Sequence, residues 1–164
     1  MLKNADLIEK LLVQCFVGSG ANVFDRQAAL RVGLLDEDLW YTADWDFWLK
    51  LAEQGESLYC SETLSCVRVH PGSQTQTRTH DMREMKRQYR VVLDRYLDDA
   101  KMTSGHPTVS KTVVRMAKLS ADLNVALACF HGRKRGDVWN LAVRFLRLGP
   151  FCWYRFIHDT RILD

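Results

Sequence analysis

The residues best suited to chemistry cluster in Thr42–Leu51, which reads TADWDFWLKL. Trp45, Trp48, Leu49 and Ala52 recur at spacings of three and four, so the segment reads as a helix with one buried stripe. Asp44 then falls in its first turn, held at the edge of a cleft by the aromatic residues that follow. A hydroxyl is a poor nucleophile near neutral pH, and a carboxylate within hydrogen-bond reach can take its proton as the oxygen attacks. A first-turn Asp also complements the helix dipole with no chemistry at all, and spacing alone favours that simpler role. Asp46, two residues on, points to another side of the helix and has at most a minor part in a site. Further along, Arg68 and His70 alternate on one face of a short apolar run. A guanidinium and an imidazole so placed suit a diphosphate and its metal, although His70 can equally hydrogen-bond the turn at Pro71-Gly72.

These side chains need elements to hold them. Leu7, Ile8, Leu11, Leu12 and Cys15 predict a helix over 4–16, ended by Gly18-Ser19-Gly20. Ala21–Phe24 is short and apolar enough for a strand. Asp25 is a candidate cap for a helix running to Val32, with Gly33 at the C′ position. Leu34–Tyr41 reads as an acidic loop and Thr42 as the N-cap of the aromatic helix, which ends before Gly55. Two further strands are expected at Ser57–Cys60 and Leu64–His70, closed by Pro71-Gly72.

The chain changes character at Ser73–Thr79, a polar linker. Helical periodicity then covers 81–98 (Met82, Met85, Tyr89, Val92, Leu93, Tyr96), about 108–131 (Val109, Val113, Met116, Leu123, Leu127, Phe130) and about 137–148. Breaks fall at Ser104–Pro107, Gly132–Gly136 and Gly149-Pro150, and an aromatic tail follows from Phe151 to Ile157. The division is therefore 1–77, mixed α and β, and 78–164, a helical C-terminal extension.

The stretch Gly18–Ser73 resembles the acceptor-side half of an inverting family 2 glycosyltransferase with the GT-A fold. Gly33-Leu34-Leu35-Asp36-Glu37 is similar to that family's Gly-Gly-Phe-Asp-Glu loop, Ala43-Asp44 to its Glu-Asp pair, and Arg68-Val69-His70 to its Arg-x-His position. The pair's Glu is Ala43 here, which touches substrate positioning more than proton transfer. The resemblance implies an α+β fold, half of a GT-A α/β sandwich, followed by the helical extension. It implies transfer of a sugar from a nucleotide diphospho-sugar to an acceptor hydroxyl, with Asp44 as general base. Trp40, Tyr41 and Trp45 would shape the acceptor site, because aromatic faces stack on sugars, and Arg68 and His70 would approach the metal-diphosphate. Asp36-Glu37-Asp38 and Asp44-Trp45-Asp46 match an Asp-x-Asp pattern, but each belongs to one of these motifs rather than to the metal motif.

The complete enzyme would use a divalent metal, Mn or Mg, with the nucleotide sugar. No nucleotide-binding βαβ segment precedes Met1, so we expect this chain alone to bind no such cofactor and to be inactive unless a separate nucleotide-binding half joins it. Its expected partner is a sugar acceptor, glycan or lipid-linked. The alternative is a non-catalytic α+β module binding a glycan, a partner protein or a membrane surface.

Composition narrows the classes further. With 164 residues, 47% apolar and 26% charged, the chain is an ordinary globular size and make-up. It shows no apolar run long enough to span a bilayer and no signal peptide. Its five scattered cysteines suit a reducing cytoplasm. The net charge of +3 divides into six basic and eleven acidic residues over 1–77, and seventeen and nine over 78–164. A basic second part can meet something anionic. Val138–Phe156 interleaves aromatics with Arg144, Arg147 and Arg155, a pattern that suits peripheral contact with the inner face of a membrane and also a core helix with a basic outer face, which we favour. A nucleic-acid partner rests only on that charge and is not expected. No zinc spacing, phosphate loop or nucleophile elbow occurs.

Overall fold

The computed structural model describes residues 4–68, 70, 72, 81–102, 109–131 and 138–160. Seven helices occur among them: α1 (Asn4–Val13), α2 (Arg26–Arg31), α3 (Ala43–Gln54), α4 (Met82–Met102), α5 (Lys111–His131), α6 (Val138–Leu146) and α7 (Pro150–Thr160). The expected α+β architecture is not formed. The described residues hold no sheet and about 1% strand, an isolated bridge at Ser57. Ala21–Phe24, Ser57–Cys60 and the described part of Leu64–His70 are irregular. A strand exists only through its ladder partner, and here the apolar side chains meet no core: Val23, Leu58, Tyr59, Leu64 and Val67 are all exposed. The linker at Ser73–Thr79 and the breaks at Ser104–Pro107 and Gly132–Gly136 lie outside the described residues.

The helices follow their sequence signals closely. Asp25 Oδ1 accepts the Ala28 N–H at 2.6 Å at the start of α2. Gly33 adopts φ +83°, and the Gly33 and Leu34 N–H groups return to the Leu30 and Ala29 carbonyls, which is a Schellman close. Asp81 Oδ1 accepts the Arg83 and Glu84 N–H groups and caps α4. Gly149, also at φ +83°, turns the chain so that Pro150 opens α7, a helix over what sequence analysis read as an aromatic tail.

One core gathers residues from both sides of position 77. Leu7, Ile8, Leu11 and Leu12 of α1 meet Trp45, Trp48 and Leu49 of α3, Val92 and Leu93 of α4, Val113 and Met116 of α5, and Phe156 of α7. α1 packs on α3, α5 and α7, and α4 packs on α5. Among the expected inward residues of α5, Leu127 is instead exposed.

Candidate functional site: an acidic cavity at the start of α3

α3 is anchored by its aromatic side. The Trp45 indole N–H donates to the Leu11 carbonyl at 2.6 Å, which pins the helix start to the last turn of α1. Thr42 stands at the N-cap position, but its hydroxyl makes no cap hydrogen bond. The loop is held from outside instead: Gln88, fully buried on α4, accepts the Tyr41 N–H at 2.8 Å and the Thr42 N–H at 3.3 Å through Oε1. Gln88 Nε2 donates in turn to Glu84 Oε1 at 2.7 Å, and Arg87 bonds the same carboxylate.

This framework leaves Asp44 on the wall of a cavity of about 650 Å³. The walls come from residues 13–18 after α1, from Tyr41, Thr42 and Trp45, from Tyr89 on α4, and from Ala117, Ser120, Ala121, Asn124, Leu127 and Ala128 on α5. Three of the lining residues form an aromatic cluster, with the Tyr89 ring 5.5 Å from Trp45 and 5.9 Å from Tyr41. Also in the lining, Gln14 Oε1 accepts from the Ser120 hydroxyl at 2.9 Å and from Asn124 Nδ2 at 3.0 Å.

Burial raises the Asp44 carboxyl above its ordinary range, against the pull of hydrogen bonds from backbone N–H groups. One of these is the Trp45 N–H, 2.8 Å from Oδ1. Burial, with the nearby Asp44 charge, pushes the Cys15 thiol up to about 12, so it stays neutral and is no nucleophile. Burial likewise raises Tyr41 and Tyr89. Among the described residues, the lining holds one carboxylate and no Lys or Arg. Such a wall suits a neutral, hydroxyl-bearing molecule with an apolar face.

Of the residues singled out from sequence, Asp44, Tyr41 and Trp45 come together here. Trp40 packs edge-on against Tyr41, with ring centroids 5.4 Å apart, outside the lining. Arg68 and His70 stand exposed on the irregular stretch after α3 and do not line the cavity. Among the described residues no three His, Cys, Asp or Glu side chains gather to hold a metal ion, so those residues give His70 no co-ligands. Asp46 is the surprise. It is buried, with Lys50 Nζ at 2.5 Å and Arg95 Nη1 at 3.6 Å, and the same Arg95 nitrogen binds Asp36. Gln14, Ser120, Asn124 and Gln88 escaped sequence reasoning, which read Tyr89 only as an inward residue of its helix. Their one signal is a polar residue on an otherwise apolar helical stripe, as in Met85–Gln88–Val92.

No helix among the described residues is long and apolar enough to cross a membrane. No family model, curated protein or solved structure matches the chain.

Proposed function

We propose that this chain binds the acceptor in an inverting sugar transfer and that Asp44 is the general base. The observation that carries the reading is the Asp44 carboxylate, raised by burial, on the wall of a cavity with Tyr41, Trp45 and Tyr89 around it. A raised carboxyl is a stronger base once ionised. In the step proposed, the acceptor oxygen bonds to the anomeric carbon as the bond from that carbon to the diphosphate breaks. The electron pair leaves with the nucleotide diphosphate, and the hydroxyl proton goes to Asp44. Aromatic faces stack on the sugar ring, and Gln14, Ser120 and Asn124 offer hydrogen bonds to its hydroxyls.

The nucleotide sugar and its divalent metal belong, on this reading, to a separate nucleotide-binding half. The acceptor is a glycan or a lipid-linked sugar. The free thiols Cys15, Cys60, Cys66 and Cys152 suit a cytoplasmic setting. The bond from Trp45 N–H to Asp44 Oδ1 favours a second reading, in which Asp44 serves the helix end and the chain binds a glycan without reacting.

Backbone amide spectra with a panel of neutral oligosaccharides, and with uridine and guanosine diphosphates, test the site. Shifts at Tyr41, Trp45, Tyr89 and Asn124 with a sugar are expected; shifts there with nucleotide alone would overturn the assignment. In the enzyme completed by its nucleotide-binding half, Asp44→Asn should lower turnover about 10²–10⁴-fold with the melting temperature held or raised. Full turnover would leave only the binding module.

A further inference from the structure

α6 and α7 form a hairpin whose inner side is already furnished. Phe156 is buried, Phe145 stacks on Trp153 at 5.9 Å, and the Trp153 indole N–H donates to the Phe145 carbonyl at 2.7 Å. Arg144 pairs with Asp122 of α5 and Arg155 with Glu9 of α1, so two of the hairpin's three arginines tie it to the body. A second apolar set faces outward. Trp139 is 80% and Leu146 62% exposed on α6, and Phe151 is 82% and Tyr154 74% exposed on α7. The spacings of seven and of three residues keep each pair on a single side of its helix. Core packing requires nothing of these four side chains.

We propose that this outer side of the hairpin docks on an anionic membrane surface, with the four side chains at the headgroup–acyl boundary and Arg147 among the headgroups. Charge complementarity selects the occupant. Arg147 sits exposed between the helices and makes no ion pair among the described residues. Of the three Arg in residues 138–160, Arg144 and Arg155 are taken up by Asp122 and Glu9, so Arg147 is the hairpin's unpaired arginine among the described residues. Trp and Tyr favour the interface because one end of each ring is polar. Both helices are far too short to span a bilayer, so they lie in its plane. This inference does not depend on the reading of the Asp44 cavity.

The test is flotation of the full chain with vesicles of phosphatidylcholine alone and of phosphatidylcholine with about one third phosphatidylglycerol. Binding to the anionic vesicles only, weakened at high salt, is expected. Trp139→Ser with Phe151→Ser should weaken it at least about tenfold, and Arg147→Glu several-fold, with circular dichroism and melting temperature unchanged because all three side chains are exposed. Failure to bind, or equal binding to both vesicles, would overturn the proposal. So would a concentration-dependent dimer in sedimentation equilibrium that the double variant abolishes, since that assigns the face to a second copy.

Discussion

Arg95 donates to Asp36 at 2.6 Å across 59 residues of sequence. Its guanidinium also lies 3.6 Å from buried Asp46, so one cation joins the two Asp-x-Asp patterns and lends both a structural role. Asp36 is held below its ordinary carboxylate range chiefly by that hydrogen bond.

The pair energies should differ by environment. Arg95 is 44% exposed and Asp36 18%, so a double-mutant cycle on Asp36 and Arg95 is expected to give no more than about 1 kcal/mol. Asp46→Ala, which empties the buried end of the cluster, should cost more, about 2–4 kcal/mol in urea unfolding. An Asp46→Ala loss within about 0.5 kcal/mol of zero would mean the cluster contributes nothing.

Gln88→Leu keeps the volume and removes the acceptor of the Tyr41 and Thr42 N–H groups. Two N–H groups near the helix start then lose their partner, at about 1–3 kcal/mol. Amide exchange at Tyr41 and Thr42 should speed up more than exchange in α5. Uniform acceleration would point to a global packing effect and against the bracing role.

Trp45→Phe retains an aromatic ring and deletes the donor to the Leu11 carbonyl. The expected loss is about 1–2 kcal/mol from the orphaned buried carbonyl, plus the smaller ring. Trp48→Phe is the control, because the buried Trp48 indole N–H has no hydrogen-bond partner among the described residues. It should cost less. The reverse order would contradict the anchor.

The pH profile separates two acids of opposite sign. The Asp44 carboxyl is raised by burial from 3.8, so its favourable contribution is complete below that pH and is lost as pH climbs through the folded value. Asp44→Asn should therefore match the parent's stability near pH 3 and exceed it at pH 7. Glu84 is lowered from 4.5 to about 2, mainly by Arg87. Its contribution is present above pH 4.5 and disappears as pH falls toward 2, and solvent screening keeps it small. Urea midpoints across pH 2–8 for the parent, Asp44→Asn and Glu84→Gln would show each limb flatten in turn. An Asp44→Asn advantage that is the same at every pH would refute the titration.

Helices were legible because their evidence is local. The stripe Trp45, Trp48, Leu49 and Ala52 needs only periodicity, and Asp25 and Gly33 mark ends through bonds spanning a few residues. Strands were misread because Ser57–Cys60 and Leu64–His70 have the right residue types while pairing depends on a partner elsewhere. The site divides in the same way. Asp44, Tyr41 and Trp45 lie within one short stretch: periodicity gave the helix that carries Asp44 and Trp45, while their proposed roles, and Tyr41 altogether, came from the family resemblance. Gln14 meets Ser120 and Asn124 across 106 and 110 residues, and no local pattern announces such a meeting. Gln88 escaped notice because its partner is backbone, which every residue carries.

The placement of α1 has a consequence for how the chain is made. Its apolar side is covered by α3, α5 and α7, and Glu9 finds Arg155 only 146 residues later. During synthesis, Leu7, Ile8, Leu11 and Leu12 emerge well before α5 and α7, which cover them. At ordinary elongation rates that interval is on the order of ten seconds. α1 thus stays partly uncovered until α7 has been made, and in that interval its apolar side chains are what a holding chaperone would grip.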